Sequence, residues 1–187
     1  MISTNDMRPG QTLDIDGTLF TILQYQHVKP GKGQAFVKTK LRNLKTGAVI
    51  DKTFRADEKV NLAVLDKREM QYLYRDEAGL VFMDNESYEQ VHVDPELLGD
   101  GVRFLKDGVT CLIPVYEGKP VGAELPVTLE LEVTDTEPGV KGDRVAGALK
   151  PATVETGAVV QVPLFVEAGE RIKVDTRTGE YIARVQA

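Results

Sequence analysis

The chain has no tryptophan, one cysteine and two histidines in 187 residues. Each shortage excludes something. Cys111 alone cannot close an internal disulfide, which points to a reducing compartment. One cysteine with His27 and His92 cannot supply a typical four-ligand zinc site, so no metal and no cofactor is expected. No run of hydrophobic residues is longer than four, as in Leu80 to Met83, whereas a membrane-crossing helix needs about 20. The opening Met1-Ile2-Ser3-Thr4-Asn5-Asp6 has neither a basic start nor an apolar stretch, unlike a secretory signal. These absences make a cytoplasmic protein without a membrane partner the expectation. Enzyme signatures are missing too. There is no phosphate loop, no dinucleotide glycine motif, no Gly-x-Ser-x-Gly and no His-Glu-x-x-His, so a non-enzyme is expected.

Strand-forming residues and turn residues are plentiful. Valine occurs 23 times and threonine 15 times, and β-branched side chains favour strands over helices. Alternating stretches recur at Leu19 to Val28, Ala35 to Leu44, Ala48 to Phe54, Met70 to Arg75 and Val127 to Thr134. Further ones lie at Ala158 to Val162, Ile172 to Val174 and Tyr181 to Val185. Short Gly, Asp and Lys clusters separate them. A single helical turn is expected at Pro95 to Leu98, with Asp94 as its N-cap and Gly99 as its stop. Strands at this spacing predict an all-β fold of three small consecutive barrels, bounded at 1–64, 65–126 and 127–187. A unit of about 60 residues is marginal alone, so the blocks should lean on one another.

The net charge of −6 is unevenly spread. The three blocks carry +4, −7 and −3, and Gly17 to Ile50 contains no acid at all. Within that stretch the strand Ala35 to Leu44 places Lys38, Lys40 and Arg42 on one face and Val37, Thr39 and Leu41 on the other. A basic stripe of this kind attracts polyanions even on an acidic molecule. A merely solvated sheet face is the plainer account. The carboxylate pairs Asp14/Asp16 and Glu130/Glu132 lie at strand spacing and read as solvated faces. Cys111 reads as a small buried hydrophobe.

The turn Lys29-Pro30-Gly31-Lys32-Gly33-Gln34 joins the first two long strands. Pro30 restricts its own φ and biases Lys29 towards an extended form, while Gly31 and Gly33 permit reversal on either side of Lys32. The expected result is a hairpin tip holding one cation away from the body, suited to phosphate contact or to modification by an enzyme that reaches it. An ordinary surface hairpin with an incidental lysine is the alternative.

Val28-Lys29-Pro30-Gly31-Lys32-Gly33-Gln34-Ala35 resembles the tip loop of bacterial translation elongation factor P. Lys150 to Gly169, beginning Lys-Pro-Ala-Thr-Val-Glu-Thr-Gly, and Ile172 to Tyr181 resemble that family's C-terminal signature. The resemblance implies an SH3-like N-terminal barrel followed by two OB-type barrels, together shaped roughly like a tRNA. It implies a monomeric factor that binds the ribosome between the peptidyl and exit sites and relieves stalling at consecutive prolines. Lys32 then matches the residue that reaches towards the acceptor end of peptidyl-tRNA, a position that several lineages extend with a lysine-modifying enzyme. Gly142, Asp143, Arg144 and Gly147 match a loop near the exit-site codon, with Arg144 where many relatives carry threonine. A freestanding single-stranded nucleic-acid binder using OB surfaces is the competing expectation, disfavoured by sparse aromatics and by a basic stripe outside the OB blocks.

Overall fold

A computed structural model describes residues 1–139 and 147–186. Three antiparallel sheets account for nearly all of the regular structure. The first contains β1 (Ile2–Ser3), β2 (Thr12–Ile15), β3 (Thr18–Val28), β4 (Phe36–Asn43), β5 (Val49–Arg55) and β6 (Lys59–Ala63). Its order is β1-β6-β2-β3-β4-β5. The second contains β7 (Asp66–Asp76), β8 (Gly79–Asp84), β9 (Gln90–Val93), β10 (Thr110–Tyr116) and β11 (Lys119–Pro120), in the order β11-β10-β7-β8-β9. The third contains β12 (Thr128–Thr136), β13 (Leu149–Val154), β14 (Val159–Pro163), β15 (Arg171–Asp175) and β16 (Tyr181–Arg184), in the order β14-β13-β12-β15-β16. Among the described residues no helix is long and apolar enough to cross a membrane.

The chain divides into two compact units, 1–68 with 113–123 and 69–112 with 124–187. In the first, Met7, Leu13, Ile22, Val37, Leu41, Phe54 and Val60 form the core, with Phe20 and Tyr25 packed at its margin. Strand alternation supplies these inward residues. Along β4, Val37, Thr39 and Leu41 are buried while Lys38 and Arg42 are exposed. Thr39 satisfies its buried hydroxyl by donating to the Lys52 carbonyl at 2.7 Å, as a polar group removed from water requires. In β3 the pairing register shifts between Ile22 and Gln24. This bulge turns Tyr25 and His27 to the same side as Ile22.

In the second unit the tilted rings of Tyr72 and Phe82 lie 5.4 Å apart, and Leu80, Val93 and Phe104 are buried. Cys111 is fully enclosed, and burial pushes its thiol up to about 11. The expected helical turn is present as the start of a 3-10 segment, Pro95–Phe104. The Asp94 side chain accepts from the Glu96 amide, and Gly99 leaves helical geometry at φ 56°. Along the third sheet Leu129, Leu131 and Val133 face inward. Glu130 and Glu132 stand outside, opposite Lys173 and Arg171. The pair Asp14/Asp16 differs in part from the expected solvated face. Asp16 lies in the β2–β3 turn at φ 52°. Asp14 accepts the Gly17 amide at 2.9 Å and the Tyr116 hydroxyl at 3.1 Å, so the Asp14 carboxylate shapes the chain while the Asp16 side chain is exposed, as expected.

Candidate nucleic-acid interface

The candidate interface lies on the β3–β4 hairpin. Its last paired residues are Val28 and Phe36, which leaves Lys29 to Ala35 as the loop and puts Lys32 at its midpoint. Lys29, Gly31, Lys32, Gly33 and Gln34 are exposed, while Pro30 and Ala35 are half-buried. No hydrogen bond or ion pair holds the Lys32 side chain among the described residues. The two glycines are not equivalent. Gly33 adopts φ +107°, a conformation that L side chains avoid, whereas Gly31 has an ordinary φ and open space where a Cβ would stand. The reversal therefore requires glycine only at residue 33.

Below the tip, the antiparallel register defines one outward face across three strands. Lys38 stands between Gln26 and Thr53, Lys40 between Gln24 and Asp51, and Arg42 between Thr21 and Val49. Phe36 stands between Val28 and Arg55. The structure thus gathers the three cations read from the sequence and adds a fourth, Arg55, nearest the tip. The Lys38 ammonium lies 5.8 Å from the Phe36 ring centroid, a cation–π distance that keeps the charge at the surface. Asp51 sits directly across from Lys40 and offsets part of its field. Sequence reasoning missed Arg55 and the amides of Gln24 and Gln26, because their membership of this face depends on pairing register and on the β3 bulge. Counting back across the Lys45-Thr46-Gly47 turn would have placed Arg55 opposite Phe36.

Chemically, the face offers separated cations and amide donors on a rigid sheet, beneath an unpartnered ammonium on a glycine-jointed tip. That combination suits a phosphate backbone. Nothing on the hairpin supplies the buried base or desolvated environment that a nucleophilic lysine needs. Of the proposed exit-site loop, Gly142, Asp143 and Arg144 lie outside the described residues. Gly147 is exposed, at φ 83°. Among the described residues no group of three or more His, Cys, Asp or Glu could hold a metal ion.

Solved structures share this architecture. The translation initiation factor 5A from Methanococcus jannaschii superposes with a TM-score of 0.56, at 21% identity, over 67% of this chain and 92% of that one. A translation initiation factor 5A family protein from Naegleria fowleri gives 0.53 at 14% identity, over 66% and 96%. At such identities the likeness speaks for the fold: small β-barrels in series, led by an SH3-like barrel and followed by OB-type barrels. Family models then match along the chain. The elongation factor P KOW-like domain covers residues 3–60, the elongation factor P OB domain 65–123, and the elongation factor P C-terminal domain 129–184. Elongation factor P of Acidothermus cellulolyticus is 54% identical over the full length of both chains. That of Mycobacteroides abscessus is 56% identical over 99% of each. Domains in this order define a translation elongation factor. The chain belongs to the elongation factor P family.

Proposed function

We propose that this factor binds the ribosome between the peptidyl and exit sites and steadies the acceptor end of peptidyl-tRNA, relieving stalls at consecutive prolines. In this reading residues 1–64, 65–126 and 127–187 act as three barrels. The first carries the hairpin, and the loop around Gly142, Asp143, Arg144 and Gly147 faces the exit-site codon. The observation that carries the proposal is Lys32: the midpoint of the loop, exposed, and without a side-chain partner of its own. An ammonium held this way is available to a ligand, and the protein spends no ion pair to release it.

Prolyl nitrogen is a constrained nucleophile, so its reaction is sensitive to how the peptidyl end is held. Holding reactants in an attack-ready pose can supply about 7–11 kcal/mol at its limit. The factor would therefore contribute position and charge, while ribosomal RNA performs the chemistry. Lys38, Lys40, Arg42 and Arg55 would hold phosphates and set the hairpin's register on the tRNA. An exposed amine at the tip is also open to a lysine-modifying enzyme.

The test is Lys32→Ala in reconstituted translation of a Pro-Pro-Pro message. The variant should fold and bind ribosomes but fail to relieve the stall. Full rescue by the variant would overturn the tip's role.

A further inference from the structure

The opposite side of the same hairpin carries a second feature that the cationic face does not use. An open slot of about 450 Å³ runs along the base of the tip loop, lined by Asn5, Tyr25, His27, Lys29 and Asp57. Its two edges are tied together where the Ala56 amide donates to the Ala35 carbonyl at 3.1 Å. Both lining residues there are alanines, which leaves the slot unfilled. Its size falls within the range of small-ligand sites.

The chemistry of the lining is specific. The Tyr25 hydroxyl donates to the Asn5 carbonyl at 3.3 Å, which fixes the ring. The Asn5 amide donates to one oxygen of Asp57, and among the described residues the other Asp57 oxygen carries no hydrogen bond. Asn5 Oδ1 is buried and has no partner among them either, so acceptors exceed donors on this side. The His27 and Lys29 side chains have neither a hydrogen bond nor an ion pair among the described residues. The slot therefore presents two flat rings, one free cation and one free carboxylate oxygen within a space of nucleotide size.

We propose that this slot binds a single unpaired ribonucleotide of RNA. Its base stacks on the imidazole and phenol rings, its phosphate meets the Lys29 ammonium, and its ribose 2′-hydroxyl donates to the free Asp57 oxygen. Stacking of unpaired bases on such rings is the usual basis of single-strand recognition, and the 2′-hydroxyl is what separates RNA from DNA. A bare anion would meet Lys29 but be repelled by Asp57. The inference rests on the hairpin's being RNA-facing.

The chain's two histidines make the test direct. Imidazole proton signals of the full chain are followed by NMR while AMP, 2′-deoxy-AMP or inorganic phosphate is added. His92, in the other compact unit and 2.9 Å from Asp76, serves as the internal reference. AMP should shift the His27 signals saturably in the millimolar range and leave His92 unmoved. 2′-Deoxy-AMP should bind about tenfold more weakly, as expected for loss of a hydrogen bond to a charged group. Asp57→Gly, which removes the carboxylate, should weaken AMP by about the same factor and abolish the ribose preference. Glycine adopts the left-handed conformation of residue 57, φ 65°, so this variant keeps the turn. An absence of saturation, an equal response to phosphate alone, or an unchanged ribose preference in Asp57→Gly would each overturn the proposal. Because the assay contains no ribosome, its failure leaves the role of Lys32 standing. Failure of the Lys32→Ala experiment would equally leave nucleotide binding to be read on its own.

Discussion

Replacing Lys38 and Arg42 with glutamine should flatten the salt dependence of ribosome binding while leaving the barrel intact. Four cations share the outward face, and Asp51 opposes one of them, Lys40. Each phosphate neutralised contributes about 0.7–0.9 to the slope of log K against log salt. Four free cations would give a slope of about −2.8 to −3.6, and offsetting Lys40 leaves about −2.1 to −2.7. Removing Lys38 and Arg42 should then make the slope shallower by about 1.4–1.8, most of this face's share. Asp51→Asn should act in the opposite direction, steepening it by about 0.7–0.9 as Lys40 is freed. Both substituted side chains point to solvent from a strand whose inward residues Val37 and Leu41 are fully buried. The cost in stability should therefore stay within about 0.5 kcal/mol. The assay is a titration of labelled factor against ribosomes at several salt concentrations, with thermal unfolding as the control. Parallel log–log lines for parent and double variant would refute the assignment of phosphates to this face, whatever the change in affinity at one salt concentration.

Two further outcomes follow from the second unit. Cys111 is enclosed and its thiol is pushed up to about 11, so the folded protein should resist alkylation at pH 8. Adding denaturant should restore full labelling, read as a mass shift; rapid labelling of the folded chain would refute the burial. Glu155 is raised by partial burial, but the Glu132 amide at 3.0 Å, Lys106 at 3.4 Å and Arg171 outweigh this and hold it below the ordinary carboxylate value. A depressed folded value contributes stability above the unfolded pKa and loses it as pH falls through the folded one. Lys106→Met should therefore destabilise the protein at pH 7, and the gap from the parent should narrow on acidification towards pH 3. Urea unfolding at both pH values reads the gap, and an equal gap at both would remove the pair's role.

Legibility in this chain follows how local each determinant is. The β4 stripe was readable because one strand's alternation decides it, and the Pro95 turn because Asp94 and Gly99 mark it within six residues. Arg55 was not, since its place depends on pairing with a strand twelve or more residues earlier. Tyr25 and His27 lie beyond a bulge that reverses the phase of β3, and nothing in Leu19 to Val28 marks where that extra residue falls. The slot is harder still, because Asn5 and Asp57 meet from opposite ends of the first barrel. Asp84 shows a different kind of limit. Composition counts it among the acids of the block with net charge −7, yet it is 2% exposed and accepts the Glu86 and Ser87 amides. Asp76 likewise accepts from Ala78 and Gly79. Part of that block's negative charge is thus invested in closing turns. The two differ in where that charge sits: Asp76 stays exposed and ionised, so it still adds to the block's outward field, whereas Asp84 is withdrawn from the surface, and net charge per block does not distinguish them.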